Sequence, residues 1–215
     1  RVFKFNQNGL WMPAVDPIHY DKPIAGVGPG KSFGNAVADY DTTITVGLIP
    51  CAVGGSSITA WEPGGIHEQT KAHPYDDCIS RTQLAMKHGV LKAILWLQGT
   101  SDGNQEQAPL YKERLYKLVN RFRDDLNAPD LFFTAGQLTH FEEWPLDQWR
   151  KMANDATASL LDSIPNTDFI STVGLSHIGD LRHFDSSSAQ ELGKRYAEAY
   201  IKYVRSRGID NLAEN

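Results

Sequence analysis

Three short stretches of this sequence hold groups that could carry out acyl-transfer chemistry. In Gly179-Asp180-Leu181-Arg182-His183-Phe184 an aspartate stands three residues before a histidine. At that spacing the carboxylate can curl back and accept the imidazole Nδ1–H. Such a bond fixes the tautomer and leaves Nε2 as a base. A solvated Asp and His on a loop would use the same spacing. In Pro50-Cys51-Ala52-Val53-Gly54-Gly55-Ser56-Ser57 two glycines are paired. Glycine lets a backbone come close to a ligand, and amides aimed at one point stabilise an oxyanion. A tight turn after a strand is the plainer reading of the pair. In Trp96-Leu97-Gln98-Gly99-Thr100-Ser101-Asp102-Gly103 a glutamine ends an apolar run. A polar side chain there needs a partner, either a neighbouring loop or a ligand in a cleft. His177, Asp180 and His183 form a third possibility, a cation site, but no further ligand cluster joins them.

The elements around these stretches decide what they can do. Residues 43–51 and 91–98 read as strands, the second a nearly continuous apolar run of the kind buried on both faces. Weaker strands fall at 131–136 and 168–173. Tyr111, Leu115, Leu118 and Phe122 recur at helical spacing, as do Trp149, Met152, Ala153, Ala156 and Leu160. The last helix carries Leu192, Tyr196, Ala199 and Tyr203, with capping-box spacing at Ser187 and Gln190 or at Ser188 and Glu191. Strands alternating with helices predict a parallel sheet covered on both faces. In such a sheet ligands collect at the carboxyl ends of the strands. Two of the stretches sit there, and the third lies just before the final helix. Residues 1–30 are rich in Pro, Gly and aromatics without a period, as in an ordered loop on a binding surface.

The 215 residues suffice for one α/β domain. A net charge of -5 argues against nucleic acid as a partner. No apolar run reaches the length of a membrane span, and no secretory signal is visible. Cys51 and Cys78 read as free thiols inside the fold, although a disulfide between them is possible.

The chain resembles the SGNH hydrolases, and within them the carbohydrate esterase family 6 and sialate O-acetylesterase-like branch. Four blocks carry the likeness: residues 26–36, 47–58, 95–102 and 180–183. The resemblance implies a three-layer α/β/α sandwich with a flavodoxin-like parallel sheet. It implies His183 as general base, Asp180 as its orienting acid, Gly54 as oxyanion-hole glycine with Gly55 as fallback, and Gln98 as a further donor. The expected reaction is removal of acetyl groups from carbohydrate by a serine esterase, with no cofactor and no metal. Acetylated xylan and O-acetylated sialic acid both fit, and a polysaccharide substrate implies export to the periplasm or outside the cell. Trp61, Trp11 and Trp144 are candidate sugar-stacking platforms, with core packing an equal account of each.

One block of the family is absent. The Gly-Gln-Ser-Asn-Met-like sequence that carries the nucleophile does not occur here, and Ser56 and Ser57 match a different block. The expectation is therefore a single domain over 1–215 that lacks its first strand and serine block. That strand would lie at the centre of the sheet, so its absence would leave two strand edges unpaired. A non-catalytic carbohydrate-binding domain and a metal-dependent hydrolase are the rival readings.

Overall fold

Alternation along the strands decides how this molecule is layered. A computed structural model describes residues 1–139, 141, 145–208 and 212. In chain order its elements are β1 (Val2–Phe5), β2 (Trp11–Pro13), α1 (Pro29–Tyr40), β3 (Val46–Leu48), α2 (Pro74–Ala85), β4 (Ala93–Trp96), α3 (Ala108–Asp125), β5 (Phe132–Gly136), α4 (Gln148–Ala158), α5 (Leu160–Ser163), β6 (Thr167–Ile170) and α6 (Ser186–Ser206). Successive strand residues point to opposite faces. On β4, Ile94 and Trp96 enter one core, while Ala93 and Leu95 enter the other. On β5, Phe133 and Ala135 join the first core and Phe132 the second. Helices α2, α3 and α4 close the first core, and α1 and α6 close the second. The result is the expected three-layer α/β/α sandwich.

Local signals start the helices. Proline occupies the first turn of α1, α2 and α3, where its missing N–H costs nothing. Asp147 caps α4 by accepting from Trp149 N and Arg150 N. The cap of α6 is Asp185, whose carboxylate accepts from Ser188 N at 2.7 Å, not Ser187 or Ser188 as the spacing predicted. An aspartate in an extended conformation just before the first turn wins over a serine already inside it. Helices α1 and α6 approach so closely that a Cβ on Gly193 would stand 2.2 Å from the Pro29 carbonyl.

Residues 1–30 are not the single loop expected. They hold β1 and β2, an antiparallel pair with Phe5 opposite Trp11. The connecting turn is built by Asn6, whose Oδ1 accepts from Asn8 N and Leu10 N. Strands this short leave no legible period.

The strands form two separate three-stranded sheets among the described residues, ordered β2-β1-β3 and β4-β5-β6. β1 and β3 are parallel, as are β4, β5 and β6. β3 and β4 are outer strands of their sheets, and both line one groove of about 560 Å3. Phe33, Val37, Tyr200 and Trp11 complete its largely apolar wall.

Candidate active site

The loop after β3 carries the glycine pair. Ser56 N–H and Oγ–H both donate to Val53 O, tightening the turn, and Gly55 takes φ +81°. Ser56 is only 4% exposed, and its Oγ also accepts from Trp61 Nε1 at 2.9 Å. Ser57 Oγ is paired with Thr59 Oγ1 at 2.6 Å. These two hydroxyls hold the turn together and are not placed as nucleophiles. The Gly54 N–H donates to Asp21 Oδ2 at 2.8 Å, and Lys22 Nζ donates to Gly54 O at 2.5 Å.

The loop after β4 is tied directly to this turn. Ser101 Oγ donates to Gly55 O at 3.0 Å, and Gln98 Nε2 donates to Ser56 O at 3.0 Å. The carboxyl ends of β3 and β4 therefore lie at the same end of the molecule. Gln98 Nε2 also donates to Asp102 Oδ2 at 2.5 Å, and Gln98 Oε1 accepts from Tyr111 OH at 3.0 Å. A carboxamide nitrogen has two hydrogens, and both are used here. Of the two expectations for Gln98, a bond to a neighbouring loop is the one this structure takes.

Asp102 underlies that contact. It is fully buried, and its Oδ2 also accepts from Ile58 N at 2.9 Å. Its Oδ1 has no partner among the described residues. Burial pushes the Asp102 carboxyl above its ordinary value. The native state alone bears the cost of ionising it. That cost is absent at low pH and grows as pH rises from the unfolded value through the raised folded one. Asp102→Asn keeps an oxygen for both N–H groups and removes the charge. We expect it to raise Tm by about 2–4 °C at neutral pH, with the gain fading on acidification. Thermal melts across acidic and neutral pH check this, and a lower Tm at neutral pH would show the ionised carboxylate to be net stabilising.

The loop after β6 carries the acid–base pair. His183 Nδ1 lies 2.5 Å from Asp180 Oδ2, so with a carboxylate partner Nδ1 carries the proton. Asp180 Oδ1 accepts from both Arg182 N and His183 N at 2.9 Å. The His183 backbone N–H, followed by its ring and the Arg182 N–H, holds the Asp180 carboxyl well below the usual carboxylate range. Leu181 takes φ +61° to make this turn, a conformation that costs a bulky residue energy and persists at sites the surroundings enforce. The imidazole side chain is 75% exposed, leaving Nε2 open to solvent. His177 Nδ1 accepts from Gly179 N and Leu181 N, on either side of Asp180, and so helps hold the loop. Among the described residues no three His, Cys, Asp or Glu side chains are grouped to hold a metal ion.

The structure thus assembles two clusters at strand ends. Gly54, Gly55, Gln98 and Asp102 interlock, and Asp180 pairs with His183. No described hydrogen bond joins one cluster to the other. Of the tryptophan candidates within the described residues, Trp61 offers no free face for sugar and Trp11 is partly taken up by packing. Trp61 is 5% exposed, because the 3₁₀ turn Ile58–Trp61 tucks it edge-on against Trp96 at 5.0 Å. Trp11 packs on Phe5 at 4.8 Å and covers Gly47. Trp144 lies outside the described residues. Cys51 and Cys78 are free thiols. The sequence alone assigns no role to Asp21, Lys22 or Asp102. Of the three only Asp102 carries a signal, a carboxylate six residues beyond Trp96, the buried end of β4.

Comparison with known proteins gives a consistent picture. The family model described as carbohydrate esterase, sialic acid-specific acetylesterase, matches residues 1–202. A probable carbohydrate esterase of Arabidopsis thaliana is 32% identical over 207 residues, covering 93% of this chain and 74% of that protein. A solved Arabidopsis thaliana structure superposes with a TM-score of 0.83 at 29% identity, over 94% of this chain and 80% of that one. NanS shares the fold, with a TM-score of 0.76 at 17% identity over 96% of this chain and 88% of its own.

Proposed function

We propose, from the premise that the chain belongs to the carbohydrate esterase, sialic acid-specific acetylesterase family, that it supplies the base and oxyanion side of a two-step serine esterase. The protein is a carboxylic ester hydrolase of the carbohydrate acetylesterase class. The observation that carries the mechanism is the Asp180–His183 pair, with Nδ1 held by the carboxylate and Nε2 open. In the proposed reaction a serine hydroxyl attacks the acetyl carbonyl while Nε2 takes its proton. Negative charge then builds on the carbonyl oxygen, and the Gly54 or Gly55 N–H stabilises it. Gln98 could join them only by giving up one of its two present bonds. Collapse expels the sugar hydroxyl, which receives the proton back from His183. Water, deprotonated by the same imidazole, then attacks the acetyl-serine ester; the serine oxygen leaves with that proton and acetate is released.

The serine is expected on a strand seated between β3 and β4. Both flanking strands end beside the interlocked glycine and glutamine loops. A parallel strand between them would deliver its carboxyl end to that point. In this reading the natural nucleophile lies outside the 215 residues, in a single domain completed by that strand. O-acetylated sialic acid and acetylated xylan are both within this reading.

The test is acetate release by the natural protein from O-acetylated sialic acid, acetylated xylan and 4-nitrophenyl acetate, before and after a serine-directed inhibitor. Hydrolysis abolished by the inhibitor, with label on a serine outside these residues, is the expected result. Hydrolysis that survives full labelling would refute the serine mechanism.

A further inference from the structure

The Gly54 amide is already occupied. Asp21 reaches across from the chain before α1 and sets Oδ2 2.8 Å from Gly54 N. An oxyanion held by that amide would sit at about 2.7–3.1 Å, so the carboxylate oxygen stands where the reacting oxygen would stand. It also carries the same negative charge. Asp21 has no ion pair within 4 Å among the described residues. Its neighbour Lys22 instead reaches the next peptide, the one between Gly54 and Gly55. Lys22 Nζ donates to Gly54 O at 2.5 Å and to Gln69 Oε1 at 2.7 Å. The ammonium lies 3.8 Å from where a Cβ on either Gly54 or Gly55 would be. A cation on the Gly54 carbonyl polarises the peptide it shares with Gly55 and strengthens the Gly55 N–H as a donor. The exposed Gly54 and Gly55 backbone thus lies between one carboxylate and one ammonium, and Lys22 is the cation left to meet an incoming anion when Asp21 moves away.

We propose that Gly54, Gly55 and Lys22 form an acetate-binding site which the Asp21 carboxylate fills in the resting chain, and that substrate must displace Asp21 before reaction. The site takes a small carboxylate or the acyl oxygen of an acetyl ester. Asp21 acts as a competing internal ligand, and Lys22 positions the peptide and offsets the incoming charge. The inference deepens the esterase reading and rests on its assignment of the glycine amides.

Acetate titration of the 215-residue chain, followed through the backbone amide resonances of Gly54 and Gly55, tests this without needing a nucleophile. The two amides should move little in the unaltered chain. In Asp21→Ala they should shift together, with acetate bound at least about tenfold more tightly. Adding Lys22→Met to that variant should remove most of the gain. Asp21→Asn retains an acceptor for the Gly54 N–H and so keeps the loop tied down. It should show the same gain in smaller measure. Equal acetate responses in the unaltered chain and both Asp21 variants would overturn the proposal. Acetate binding that appears in Asp21→Ala, beside a natural protein that hydrolyses no acetyl ester, would instead uphold this site and fail the esterase reading.

Discussion

Replacing His183 with alanine should lower kcat for acetyl-ester hydrolysis by about 10⁴-fold or more in the serine-bearing protein. The fold should not change. The imidazole is three-quarters exposed and its one described side-chain partner is Asp180. The bond that shapes the loop, from the His183 backbone N–H to Asp180 Oδ1, survives in alanine. Tm should therefore move by no more than about 1–2 °C, the scale of an exposed substitution. Asp180→Asn is the companion. Its amide can still accept from the two backbone N–H groups, but it no longer favours the Nδ1–H tautomer or an imidazolium. A loss of about 10²–10⁴-fold in kcat with KM little changed is expected. Steady-state kinetics and thermal melts on the two variants decide the matter. If His183→Ala retains more than a tenth of wild-type kcat, the imidazole is not the base.

That pair is legible in the sequence because it is local. An Asp and a His three apart need only one tight turn to meet, and Leu181 in the left-handed region provides it. The strands at 91–98 and 131–136 are legible for a different reason. Burial in the sheet favours apolar runs, and Ala93–Trp96 is the paired core of the nearly continuous one and Phe132–Gly136 that of the weaker one. Distance along the chain explains what stays hidden. Asp21 meets Gly54 across 33 residues and Asp102 meets Ile58 across 44. Nothing in either stretch names the other. Gln98 shows the same limit. Its position at a strand end is readable, but the direction of its amide depends on a buried carboxylate and a tyrosine that the fold brings in. Trp61 is equally ambiguous, since an indole near a glycine turn can face solvent or core. The bond from its Nε1 to the buried Ser56 hydroxyl decides for the core.

The groove between β3 and β4 leads to the second large effect. Val46 N–H donates to Arg1 O, so the alternation of a parallel strand turns the peptide groups of Gly47 toward the groove. No described strand pairs them on that side. β3 and β4 residues that pack against the apolar cores, Val46, Ala93, Ile94 and Leu95, are only partly buried. Trp11 lines the groove with a buried Nε1 that has no partner among the described residues. Unpaired buried donors are uncommon in native proteins, and open strand edges invite pairing. A strand seated there would cover the apolar wall and hydrogen-bond both edges. The Gly47 amide should then exchange with solvent at least about 10³-fold more slowly in the natural protein than in the 215-residue chain, as expected when a fraying edge becomes a central strand. Amide exchange followed residue by residue measures this directly, with β5 as the internal reference because it is already fully buried in the 215-residue chain. The 215-residue chain should also bind an apolar dye that the natural protein excludes. Equal protection of Gly47 in the two forms would mean that the groove stays open in the complete molecule, and the serine would then have to reach His183 from some other part of the fold.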